Sequence, residues 1–88
     1  MNSIMQEEKE CYITGSRQSL DKHHCLHGAN RKNAEKYGLW VWLRHDIHMA
    51  LHDRDKDLDR ELEEEAQKKF EETHSRAEFR SIFGKSYL

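Results

Sequence analysis

Five consecutive apolar residues, Leu39, Trp40, Val41, Trp42 and Leu43, form the longest apolar stretch in the chain. The run is continuously apolar with an aromatic and β-branched centre, a composition that fits a pleated, packed surface and predicts a strand. Two tryptophans so close together are expected to anchor a core. The stretch is far too short to cross a membrane.

Everything else must organise around that strand within 88 residues, enough for one small domain. Apolar residues make up 35% and charged residues 36%, so the core is small. Domains of this size commonly lean on a disulfide, a metal or a partner subunit. Only two cysteines are present, Cys11 and Cys25, and no N-terminal apolar run resembles a signal peptide. The expected location is the cytoplasm, with both thiols reduced. Net charge is −2, which excludes a globally basic field. The bases Arg17, Lys22, Arg31, Lys32, Lys36 and Arg44 nevertheless face only Asp21 and Glu35 across residues 17–44, whereas acids dominate residues 53–72. A basic half beside an acidic one can bind phosphate locally.

Residues 1–10 are polar and acidic and read as a flexible lead-in to a single domain over residues 11–88. Cys11, Tyr12 and Ile13 predict a short strand closed by the turn Thr14-Gly15-Ser16. Residues 20–26 predict a second extended piece, residues 27–30 a loop, and residues 33–37 one helical turn stopped by Gly38. From Asp46, a candidate N-cap, Ile47, Ala50 and Leu51 recur at helical spacing. After an interruption at residues 53–57, Leu58, Leu62, Ala66 and Phe70 mark one apolar stripe on a long charged helix. A last helix over residues 76–83 ends at Gly84. The expected class is α+β, a two-stranded hairpin plus helix with additional C-terminal helices.

Histidine is the main anomaly. Six of the seven, His23, His24, His27, His45, His48 and His52, fall within thirty positions. His48 and His52 are four apart, so on a helix their imidazoles share one face and suit a common metal. A hairpin followed by a helix folded back upon it would bring His23 or His24 to that pair. Neighbours in an extended segment point to opposite sides, so spacing leaves the third ligand open between them. His27 and His45 lie off this spacing and are left as bystanders.

Three motifs resemble small phage-type nucleases of the HNH (His-Me finger, ββα-metal) superfamily: Cys11-Tyr12-Ile13-Thr14-Gly15, Leu20-Asp21-Lys22-His23-His24 and Gly28-Ala29-Asn30-Arg31-Lys32. Tyr37-Gly38, the strand at 39–43, His48, His52 and the ending Phe83-Gly84-Lys85-Ser86-Tyr87-Leu88 continue the likeness. The resemblance implies a ββα-metal core in which His23 ligates the ion, His24 is the general base, and His48 and His52 complete the site. It implies one divalent cation, with Mg, Mn, Ni and Zn all compatible, and a DNA phosphodiester as substrate. Double-stranded DNA is the expected partner, with a phage packaging or replication assembly as a further one. Arg31, Lys32 and Arg44 are candidates for phosphate contact.

The chain departs from the superfamily in two places. The Asn that braces the base-bearing loop has no counterpart at Gly38-Leu39, so that role is empty or passes to Asn30. The paired CxxC motifs of a structural zinc knuckle are missing, because Thr14 follows Cys11 and Arg44 and Ile47 stand at the second pair. Two other readings are a catalytically inactive DNA-binding or assembly module and a domain merely stapled by zinc.

Overall fold

A computed structural model describes residues 1–88. Its only sheet is an antiparallel hairpin of β1 (Leu20–His24) and β2 (Trp40–Arg44), joined by a single 3₁₀ turn (Gly28–Asn30) and helix α1 (Arg31–Tyr37). Helices α2 (His45–Asp53), α3 (Lys56–Phe70) and α4 (Arg76–Phe83) follow. The protein is therefore a small α+β domain of two strands and four helices.

The register pairs Asp21 with Leu43, His23 with Val41, Lys22 with Trp42 and His24 with Trp40. Cross-strand partners share a face, so Asp21, His23, Val41 and Leu43 lie on one side of the hairpin. Val41 and Leu43 are fully buried there. Lys22, His24, Trp40 and Trp42 lie on the other side, where the two indoles meet edge to face with ring centres 5.3 Å apart. The Lys22 ammonium sits 4.0 Å from the centre of the Trp40 ring.

β2 runs directly into α2, whose first residue, His45, donates its backbone N–H to the Ser19 carbonyl at 2.7 Å. Asp46 is thus not the N-cap expected of it. It lies in the first turn, where its carboxylate meets the positive end of the helix dipole and binds Arg44. The break between α2 and α3 falls at Arg54 and Asp55, and Asp55 caps α3 by accepting from the Leu58 N–H. The expected stripe on α3 is present: Leu62, Ala66 and Phe70 are buried and Leu58 half-buried. Phe70 meets Tyr37, Phe79 and Phe83 edge to face, which locks α1, α3 and α4 together. A capping box between Ser75 and Glu78 starts α4. Only 17 of the 88 residues are buried, so each of these contacts carries a large share of the core.

Two segments differ from expectation. Cys11, Tyr12 and Ile13 form a turn rather than a strand, with the Gly15 N–H returning to the Cys11 carbonyl. Residues 1–10 hold no helix, yet they are tied along the outer edge of β2 rather than free. Ser3 Oγ donates to the Trp40 carbonyl, Gln6 Oε1 accepts the Trp42 N–H, and the Ile4 N–H donates to the Gly38 carbonyl. A two-stranded sheet leaves such an edge unpaired, and this strap satisfies it. Gly38 caps α1 in the left-handed region (φ 71°), and a Cβ there would run into the Asn2 carbonyl.

Candidate metal centre

The hairpin's alternation separates the His23-His24 dipeptide. His23 points inward, 2% exposed, while His24 takes the opposite face at the strand end. α2 packs on the inner face and presents His48 and His52 one turn apart. Their Nε2 atoms stand 3.1 Å from each other, and ligand atoms of His23, His48 and His52 all lie within 4.8 Å of one another.

Orientation comes from Asp21, two residues before His23 on the same strand face. Its Oδ2 accepts from His48 Nδ1 at 3.0 Å and from His45 Nδ1 at 2.7 Å. A carboxylate only accepts, so Nδ1 of His48 carries the proton and its Nε2 lone pair is left facing His52. The His48 and His45 bonds hold the Asp21 carboxyl below its usual range. His45 therefore belongs to the outer layer of the site rather than standing aside.

His23 Nε2 is buried and has no hydrogen-bond partner. Burial, reinforced by His27, His48 and His52 nearby, lowers the His23 imidazole to about 3. Desolvation and the same neighbours lower His52 as well. His23 and His52 are consequently neutral at physiological pH, and their ligand nitrogens lie close enough to that of His48 to share one ion. Buried polar atoms are rarely left unpaired, and a divalent cation would satisfy His23 Nε2 while His48 and His52 complete its coordination. The donor set fits such an ion.

His24 lines the same cavity, about 330 Å³, together with Lys22, His23, His27, Arg31, His48 and His52. Its Nε2 is 3.0 Å from Glu35 Oε1, which Lys22 Nζ also meets at 2.9 Å. Lys22 first and His24 second hold the Glu35 carboxyl down to about 2. Glu35 is then a pure acceptor, His24 carries its proton on Nε2, and Nδ1 keeps a free lone pair.

Of the cationic candidates, Arg31 lines this cavity and an adjoining depression that also holds Lys32, and neither side chain makes an ion pair. Arg44 does not join them. It forms a two-pronged bond with Asp46, two residues on, at 2.6 and 3.0 Å, and the register leaves it at the far end of β2 from His24. Arg17 is paired with Glu8 and Glu10. Asn30 also lies outside the cavity lining. Its amide donates to the Phe83 carbonyl at 3.0 Å, fastening the loop before α1 to the end of α4.

Besides His45 and Glu35, the structure adds three participants. Asp21 was detectable, since a period of two puts it on the His23 face. His27 lies in the cavity lining with its ring 5.3 Å from that of His23, and its Nε2 is 2.6 Å from Asp59 Oδ1. Neither His27 nor Asp59 carries a spacing signal, because a loop and the start of α3 bring them together. No family model, curated protein or solved structure matches the chain.

Proposed function

We propose that the chain is a metal-dependent endonuclease of the HNH (His-Me finger, ββα-metal) type that hydrolyses phosphodiester bonds of double-stranded DNA. The observation that carries this reading is the split of the dipeptide. His23 is buried against His48 and His52, while His24 lines the same cavity with its Nε2 bound to Glu35 and its Nδ1 left free. Hairpin then helix is the order that a ββα-metal core requires. A phage or prophage origin, a cytoplasmic setting and a packaging or replication assembly as partner belong to the same proposal. No helix is long and apolar enough to cross a membrane.

His23, His48 and His52 would hold one divalent ion, which supplies Lewis-acid stabilisation of the charge developing on the phosphate and on the leaving 3′ oxygen. His24 Nδ1 accepts a proton from water as the water oxygen attacks phosphorus. The bond from phosphorus to the 3′ oxygen breaks, and that oxygen takes a proton from solvent. Glu35 keeps the imidazole in the required tautomer and stabilises the imidazolium that forms. Lys22 and Arg31 line the cavity and Lys32 the adjoining depression, where they can receive non-bridging phosphate oxygens.

Plasmid cleavage with added Mg²⁺, Mn²⁺, Ni²⁺ or Zn²⁺ tests this. His24→Ala is expected to keep metal affinity and to lose cleavage by roughly a hundred- to ten-thousand-fold, the contribution of general-base help. Wild-type cleavage by that variant would remove His24 from the mechanism. The stapled-domain reading is favoured by the deep burial of His23. It predicts that chelation unfolds the chain, whereas the nuclease reading predicts a chelated chain that stays folded and inactive.

A further inference from the structure

His23 faces two pairs of donors, not one. Its ring centre lies 5.2 Å from that of His48 and 5.7 Å from that of His52, but also 5.3 Å from that of His27. A His27 nitrogen and an Asp59 oxygen, together with His23, form a second group whose ligand atoms all lie within 4.8 Å of one another. The unpartnered His23 Nε2 is buried between these pairs and can be given to only one ion.

We propose that the cluster contains two alternative cation seats that share His23, and that the identity of the ion decides which is filled. The inference rests on reading the cluster as a metal centre and adds a second seat to it. The first seat, His23, His48 and His52, offers three neutral imidazoles. The second, His23, His27 and Asp59, offers two imidazoles and one carboxylate. Imidazole suits zinc and nickel, whereas carboxylate oxygen suits harder ions such as manganese. The carboxylate also offsets one positive charge, which three imidazoles cannot do.

His27 Nε2 and Asp59 Oδ1 are now bridged at 2.6 Å by the imidazole proton. An ion that uses this nitrogen replaces the proton, which leaves to solvent. Two ions held at once would compete for His23 and repel each other across a few ångströms, so a single ion per chain is expected.

The test uses the full chain with Mn²⁺ and Zn²⁺ alone, followed by calorimetry and by the electron paramagnetic resonance of free Mn²⁺. Wild type should bind one Mn²⁺, and added Zn²⁺ should return that Mn²⁺ to solution. Asp59→Asn should weaken Mn²⁺ binding at least about tenfold more than Zn²⁺ binding, and His52→Ala should do the reverse. His27→Gln should follow Asp59→Asn, and circular dichroism of every variant checks that it folds. Equal loss of both ions in Asp59→Asn, or wild type holding Mn²⁺ and Zn²⁺ together, would overturn the two-seat inference alone. Absence of Zn²⁺ binding in wild type would overturn it together with the metal reading beneath it.

Discussion

Replacing His23 by leucine separates what this residue does for the fold from what it does for an ion. In chelated protein the His23 imidazole is held neutral, with its pKa lowered from 6.5 to about 3 by burial. The unfolded chain binds a proton below 6.5 while the folded chain does not, so stability is fully present above 6.5 and falls as pH drops toward 3. Each pH unit in that window removes about 1.4 kcal/mol, hence about 2 kcal/mol by about pH 5 and about 5 kcal/mol at the limit. A domain of this length has about 4–13 kcal/mol in total, so the effect is large. It corresponds to a Tm lower by about 8–16 °C at about pH 5 than near neutrality. Leucine removes both the titration and the unpartnered Nε2, whose burial alone costs about 1–3 kcal/mol. Thermal melts followed by circular dichroism in excess chelator, across this range, should show a Tm for His23→Leu that is at or above wild type at neutrality and loses less on acidification. Parallel pH slopes for the two proteins would refute the reasoning, because another group would then carry the acid sensitivity. The same variant should bind no ion in either seat.

Glu35→Gln keeps a hydrogen-bond acceptor for His24 but removes the charge that stabilises its imidazolium. Cleavage should fall by about tenfold or more while metal affinity stays constant, and unchanged cleavage would show that the Glu35 charge does not act through His24. Gly38→Ala forces a side chain into the left-handed region and against the Asn2 carbonyl. It should cost about 1–3 kcal/mol in denaturant unfolding and speed amide exchange in the N-terminal strap. Asn30→Ala releases the loop from the Phe83 carbonyl and should cost about 1 kcal/mol with metal affinity unchanged. Collapse of cleavage without loss of stability would instead return Asn30 to the chemistry.

Much of the hairpin and helix order was legible because periodicity reports it. The apolar run at residues 39–43 announced β2, and the four-residue recurrence from Leu58 to Phe70 announced α3. His48 and His52 were legible for the same reason, since their spacing is a property of one helix. What the sequence hid depends on contacts between distant elements. The strap at residues 1–10 looks disordered by composition, and only the unpaired edge of β2 gives its polar side chains and backbone something to bind. Arg44 looked like a phosphate ligand. Instead the bend from β2 into α2 brings it onto Asp46 two residues on, and the register leaves it at the end of the hairpin away from His24. His27 and Asp59 are 32 positions apart and meet only because α3 folds back over the loop after β1. The HNH resemblance implies a division of labour between His23 and His24, and the strand's alternation, which puts them on opposite faces, is the physical property that makes such a division possible.

The perpendicular indoles of Trp40 and Trp42 have a use unrelated to packing. Two transition dipoles this close, held at a fixed angle, couple optically and give a paired signal in the ultraviolet that neither ring gives alone. Trp40 also donates its Nε1–H to the Met1 carbonyl, and the Lys9 ammonium lies over the ring of Trp42. The chromophores therefore straddle the place where the N-terminal strap meets β2. Loosening of that strap would register in the signal directly, so the chain carries its own optical reporter of whether the outer edge of β2 is covered.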